Sequence, residues 1–297
     1  MKGAVYSAMI ELRTSREGEE NQEKALWQQV FGDDDAFIQL YYDTCYTPKD
    51  VFVLLEDGRL ASMLICLPVT LRMADKSMGR GAYVYALATA PASRGKGYAQ
   101  KLLAFMHTHL RDQGLDFSAT VPAMSSLFSF FQKAGFSPFF YHQENRYASE
   151  ILQEAPGYAE ICSAEQYQQY RMDFLPAQPS IIYPASQILW QKQISRLHRA
   201  DLYRMTFGAN IAYAAAEYLD AHTVMLKELL APPSCAEEAL AVLSKALPAQ
   251  AYIVRTPVYD TEVSGASKAF GSIAVYNTSL AQETEHLTKG YLGLAFD

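Results

Sequence analysis

Cysteine is scarce in this chain. Four residues, Cys45, Cys66, Cys162 and Cys235, stand among 297, and no two are close enough for a Cys-x-x-Cys pair. That argues against a disulfide framework and a zinc site, and for free thiols in a reducing compartment. A basic excess is missing as well. Twenty-five Lys and Arg against 32 Asp and Glu leave a net charge of −7, and the halves on either side of Glu150 are both acidic. A nucleic-acid binder normally carries a basic face, so that class is set aside. The balance favours a cationic or neutral small substrate over an anionic polymer. Long apolar runs are also absent. The longest uncharged stretch, Phe174 to Gln191, contains Pro176, Pro179 and Pro184 and does not suit a membrane helix. The opening Met1 to Tyr6 stretch runs into Glu11, Arg13 and Arg16 without the apolar region of a signal peptide. The expectation is a cytoplasmic protein with no membrane or nucleic-acid partner and no metal; a homo-oligomer is compatible with it.

What is present is core. Half of the residues are hydrophobic, and at this length that supports about two domains. Strand-like residues 8–13 are followed by helical stretches at 17–31 and from Asp33 to about Asp43. Two apolar runs, Val51 to Glu56 and Leu60 to Leu71, flank Asp57-Gly58, a strong hairpin signal. Pro68 marks a bulge or an edge in the second. A buried strand, Ala82 to Thr89, leads through a Gly-rich loop into a helix. In that helix Ala99, Leu102, Leu103, Met106 and Leu110 form one apolar stripe, and Gly114 ends it. A strand at 116–121, a helix at 125–134 that Ser125 or Ser126 can cap, and a strand at 138–147 complete the first half. The reading is an α/β fold, a mixed and mostly antiparallel sheet flanked by helices. The boundary falls near Pro156-Gly157, giving domains at 1–150 and 151–297. Past it the order recurs: strand 158–162, helices 164–174 and 186–199, strands 202–207, 211–218 and 223–230, helix 236–246, strand 251–255. Two similar halves in tandem are therefore expected.

The chemistry gathers in Leu87-Ala88-Thr89-Ala90-Pro91-Ala92-Ser93-Arg94-Gly95-Lys96-Gly97-Tyr98-Ala99. A buried strand, a glycine turn and a helix start offer orphan N–H groups and the positive end of a helix dipole. Two glycines let the backbone wrap an anion, and Arg94 and Lys96 add charge that suits a pyrophosphate. Walker spacing is absent, and the dinucleotide fingerprint fails because Gln100 stands three residues after Gly97. A phosphate-bearing cofactor remains.

These residues resemble the GNAT superfamily of N-acetyltransferases, as does Phe130-Phe131-Gln132-Lys133-Ala134-Gly135-Phe136 later on; the likeness spans roughly residues 5 to 147. It implies acetyl-coenzyme A as cosubstrate, its pyrophosphate held by Arg94, Gly95, Lys96, Gly97, Tyr98 and Ala99. It further implies that its pantetheine pairs with the backbone of Leu87, Ala88 and Thr89, with Ser126 and Phe131 as additional cofactor contacts. The family's frequent general-acid Tyr is Phe131 here. Another group then protonates the departing thiolate, the thiolate leaves unaided, or the activity is lost. The implied reaction is acetyl transfer to a primary amine of a small molecule or peptide; the alternative is a non-catalytic acyl-coenzyme A sensor. Tyr83 and Tyr85 share one strand face, either the substrate side, which makes Tyr85 a candidate catalytic residue, or simply half-buried. Glu56 reads as a solvated turn acid, His107 and His109 as solvated or helix-packing, and His142 as a more remote candidate for the acceptor cleft.

In the second half, Leu229 to Leu240 takes the place of the loop but has no glycine, and Glu237 and Glu238 occupy the helix start. Those carboxylates repel a pyrophosphate, so this half is read as a degenerate copy that holds no coenzyme A. The layout resembles tandem members of the superfamily, including the "enhanced intracellular survival" aminoglycoside acetyltransferases. The apolar segment Gly290 to Phe296 seeks burial. The resemblance implies that Asp297 then serves as general base; otherwise the segment packs in the second half and Asp297 is solvated.

Overall fold

A computed structural model describes residues 8–73, 78–175, 178–258, 267–286 and 289–296. The first half begins with β1 (Ile10–Thr14), α1 (Glu20–Phe31) and α2 (Asp35–Thr44), then β2 (Val51–Glu56), β3 (Arg59–Arg72) and β4 (Met78–Thr89). It continues with α3 (Tyr98–Asp112), β5 (Phe117–Thr120), α4 (Phe128–Lys133) and β6 (Ser137–Ala148). Local chemistry explains the boundaries. Asp34 caps α2 by accepting from Phe37 N at 2.7 Å. Asp57 and Gly58 both take positive φ, 50° and 77°, which suits the two-residue turn between β2 and β3. Leu102, Leu103, Met106 and Leu110 are buried on one face of α3. Neither Ser125 nor Ser126 caps α4. A short 3-10 turn comes first, and Leu127 stands at the cap position without a side-chain bond.

The second half repeats this order: β7 (Tyr158–Ile161), α5 (Ala164–Phe174), β8 (Ser180–Ile182), α6 (Ala185–Leu197), β9 (Leu202–Phe207), β10 (Asn210–Tyr218), β11 (Thr223–Leu230), α7 (Ala236–Ser244) and β12 (Ala251–Thr256). It then adds β13 (Lys268–Val275) and α8 (Thr278–His286). Ser163 opens α5 with a capping box to Gln166. Apart from the short β8, the counterparts run in step. β4 lies parallel to β5 and β11 parallel to β12, while β1 and β7 pair antiparallel with β2 and β9.

The sheet order is β1-β2-β3-β4-β5-β13-β6-β12-β11-β10-β9-β7, and the sheet does not close. The last strands of the halves are exchanged. β13, from the second half, pairs with β5, whereas β6, from the first, pairs with β12 over Gln143–Ala148. β6 and β13 pair with each other. One sheet therefore runs through both halves. One face of the sheet carries α3 over the first lobe and α7 over the second, each on its own core. The other face has a single core spanning both lobes, with Trp27, Tyr41, Tyr167 and Trp190 in it.

Pro68 resolves as a local edge. β2 accompanies β3 only as far as Ile65 and β8 joins at Thr70. Between them the Pro68 carbonyl accepts from Gln187 Nε2 at 2.8 Å. The irregularity against β4 lies nearby: Tyr85 pairs with Ile65 and Ala88 with Met63, so Ala86 and Leu87 together oppose Leu64. Ala86 takes φ 48° to make that bulge. Among the described residues no helix is long and apolar enough to cross a membrane.

Candidate active site

β4 and β5 run parallel only from Gly81 to Val84 and then part. Past the bulge, Ala88 O accepts from Ser62 Oγ and Ala90 N donates to Ala61 O, so these two face β3. Strand alternation turns the backbone groups of Leu87 and Thr89 the other way, toward the gap that β5 leaves. Thr89 Oγ1 lies 2.9 Å from Ser62 Oγ, and Arg94 Nε reaches Thr89 O at 3.4 Å. Backbone groups turned toward such a gap are of the kind an extended ligand can pair with as an added strand.

The glycine loop closes the upper end of the gap. Gly95 and Gly97 hold φ +80° and +75°, and a Cβ on either meets nothing within 4 Å. Gly97 caps α3 with no side chain, and the first helical bond runs from Lys101 N to Gly97 O. The N–H groups of Tyr98, Ala99 and Gln100 are therefore first-turn donors open to an anion. The loop is anchored from below by Glu56, at the end of β2. Its carboxylate accepts from Lys96 Nζ at 2.6 and 2.8 Å, from Tyr98 OH at 2.7 Å and from Ser93 Oγ at 3.3 Å. The bond from Lys96 holds the Glu56 carboxyl below its usual range, and Glu56 in turn raises the Tyr98 phenol to about 12. Glu56 is thus not a free turn acid, and Lys96 spends its charge on Glu56 rather than standing free for a pyrophosphate. Arg94, exposed like Lys96, is the other cation of the loop, and its Nε reaches Thr89 O at 3.4 Å.

Ser126 is exposed at the 3-10 turn, its carbonyl accepting from Ser129 Oγ. Phe131 is buried edge-on against Phe130 and Phe136. It contributes packing beneath α3 and no proton. His107 is half-buried with Nδ1 2.6 Å from Tyr276 OH, and desolvation lowers its pKa to about 4. His109 packs edge-on against Phe52. His142 is buried on β6 against the Phe270 ring.

The opposite face of β4 is aromatic. Tyr83 is buried and Tyr85 half-buried, and both donate to the tail: Tyr83 OH to Ala295 O at 2.9 Å, Tyr85 OH to Phe296 O at 2.7 Å. Trp27 and Trp190 flank Tyr85 at 5.5 and 5.6 Å, and Phe296 stacks on Trp190 at 4.7 Å. The apolar tail thus docks against the first half. Asp297 lies outside the described residues. Among the described residues no cluster of three or more His, Cys, Asp or Glu is set to hold a metal ion.

Nothing in the local sequence marks Glu56, Trp27 and Trp190 as site residues. Glu56 reaches the loop across a hairpin, and the tryptophans come from α1 and α6, so no local spacing announces them.

Residues 11–139 match the family model of the acetyltransferase (GNAT) domain. No curated protein matches the chain. Among solved structures, a GCN5-related N-acetyltransferase from Anabaena variabilis superposes with a TM-score of 0.71 at 15% identity, covering 91% of this chain and 73% of that one. A conserved protein of Enterococcus faecalis described as a probable N-acyltransferase gives 0.70 at 14% identity, over 90% and 73%. Eis1 from Mycobacterium abscessus gives 0.67 at 12% identity, over 91% and 75%. The open splayed sheet, the glycine loop at the start of α3 and these matches agree: residues 11–139 are a GNAT acetyltransferase domain, and across both lobes the chain has the fold of GNAT N-acetyltransferases.

Proposed function

We propose that the protein transfers an acetyl group from acetyl-coenzyme A to a primary amine of a small molecule or peptide. The observation that carries this is the pair Gly95 and Gly97 at positive φ with open space above them, beside the stretch of β4 that β5 leaves. The loop and first-turn N–H groups of α3 bind the pyrophosphate, and the backbone of Leu87 and Thr89 pairs with the pantetheine arm. Both are contacts the backbone offers without side-chain movement. The bound cosubstrate supplies an activated thioester carbonyl. A strand N–H near Thr89 stabilises negative charge on its oxygen as the amine attacks.

Attack requires a neutral amine and a group to accept its proton. We assign that role to the Asp297 side chain. Support comes from its neighbour: Phe296 O accepts from Tyr85 OH, so the chain reaches the acceptor face of β4 at that point. Tyr85 lines the same face and orients the tail. A cytoplasmic location accords with the four free cysteines.

One observation favours a second reading. Phe131 occupies the place where a proton donor to the thiolate is usual, which suits a protein that binds acyl-coenzyme A and does not turn it over. Release of coenzyme A measured against polyamine, aminoglycoside and peptide panels tests both. Turnover on an amine, lost in Asp297→Asn with coenzyme A affinity retained, supports the first reading. Tight binding without turnover on any amine supports the second.

A further inference from the structure

The tail is seated by the second lobe, through a buried ion pair. Arg171 on α5 and Glu228 on β11 are 2% and 0% exposed, with Arg171 Nε 3.1 Å from both carboxylate oxygens. Tyr167 OH donates to Glu228 Oε2 at 2.7 Å. Arg171 Nη1 donates to Ile181 O, and Nη2 to Leu292 O at 2.8 Å. Tyr183 OH donates to the carbonyls of Leu292, at 3.1 Å, and Leu294. Between them Gly293 turns at φ +77°, packed so closely that a Cβ there overlaps Glu228 Oε1 and stands 2.7 Å from Arg171 Nη2. Just beyond, Ala295 and Phe296 reach Tyr83 and Tyr85.

The place of Glu228 in the repeat is informative. β11 breaks register against β10 as β4 does against β3: Leu226 pairs with Ala216 and Glu228 with Ala215, leaving Lys227 as the extra residue. The first residue paired after the bulge is Ala88 in β4 and Glu228 in β11. The strand that presents backbone to the cosubstrate in the first lobe presents a carboxylate to the tail's anchor in the second.

We propose that Arg171, Glu228, Tyr183 and Gly293 form a socket that positions the tail over Tyr83 and Tyr85, so that the second lobe sets the geometry of the first lobe's acceptor site. Arg171, Glu228 and Tyr183 are positioning residues and touch no reacting atom. The inference rests on the acyltransfer reading for its consequence in catalysis, but not for the seating itself.

Two variants test it: Gly293→Ala, which forces the tail off the ion pair, and the milder Tyr183→Phe, which removes the one hydroxyl set against two tail carbonyls. Amide hydrogen exchange of the peptide spanning 290–296 is expected to rise about tenfold in both. With an accepted amine, kcat is expected to fall by about a hundredfold in Gly293→Ala, the cost of a roughly 1 Å misplacement, while KM for acetyl-coenzyme A and coenzyme A affinity stay within about twofold. Unchanged exchange overturns the proposal, as does raised exchange with unchanged kcat, or a parallel loss of coenzyme A affinity. If the native protein acetylates no amine, the functional reading fails by itself, and exchange alone judges the socket.

Discussion

At the scale of single residues, the proposed cosubstrate site is tested most directly at the loop glycines. Gly97→Asp puts a Cβ at a left-handed φ and a carboxylate at the open end of α3, where the pyrophosphate is proposed to sit. Two negative charges about 5 Å apart at an effective dielectric near 20 repel by about 3 kcal/mol. Affinity for coenzyme A is expected to drop more than about a hundredfold, as calorimetry would read; unchanged affinity rules out the loop as the binding site. Lys96→Ala should weaken binding far less, since Lys96 is held by Glu56.

His107 makes a second residue-scale prediction. Burial holds its pKa near 4 in the folded protein, against an ordinary value of 6.5. The unfolded chain therefore binds a proton in that interval and the folded one does not. The contribution is fully present above pH 6.5 and is lost as pH falls toward 4, by up to about 1.4 kcal/mol per pH unit. Denaturant unfolding at pH 7 and pH 5 should show that loss, and His107→Gln should flatten it. An identical pH slope in the variant would sink the assignment.

At the scale of elements, the bulge in β4 turns the strand toward the gap. Ala86 sits at φ 48° with no glycine to ease it, so a β-branched residue there fits worst. Ala86→Val is expected to cost about 1–3 kcal/mol of stability and to weaken coenzyme A binding with it. Ala86→Gly should leave both near native. Equal melting of all three proteins would contradict a bulge-imposed strain. Elements of this kind separate what the chain discloses locally from what it does not. The helix stripe of α3, the Asp57-Gly58 turn and most strands of the second half are legible because period and turn chemistry lie within a few residues. The bulge is not, because Ala86 carries no mark of a left-handed conformation. β8 and β13 escape for a different reason: each is short or follows residues without clear periodicity, and each owes its pairing to a strand far away in sequence. The glycine loop could be read because one contiguous segment builds it. The Glu56 anchor and the Arg171–Glu228 socket could not, since each joins residues from separate elements.

At the scale of the whole molecule, the order of elements recurs but the glycine loop does not. The second lobe repeats the splayed parallel pair, but the turn before α7 is built on Pro233–Cys235 and the helix opens with Glu237 and Glu238. Carboxylates there compete for the same first-turn donors and repel a phosphate. Titration is expected to saturate at one coenzyme A per chain; a stoichiometry of two would contradict it.

The exchange of last strands also orders the birth of the molecule. During translation β5, ending at Thr120, emerges long before β13, which begins at Lys268. Until then the nascent first half displays an unpaired β5 edge and the bare leading half of β6, both templates for pairing with a neighbouring chain. The long sequence separation of β5 and β13 raises contact order and slows completion of the sheet. A product cut short by a stop codon before Lys268 would contain the glycine loop and α3, yet lack the strand between β5 and β6 and the segment that caps Tyr83 and Tyr85. Premature termination should therefore yield an aggregation-prone fragment, not an unregulated miniature of the full protein.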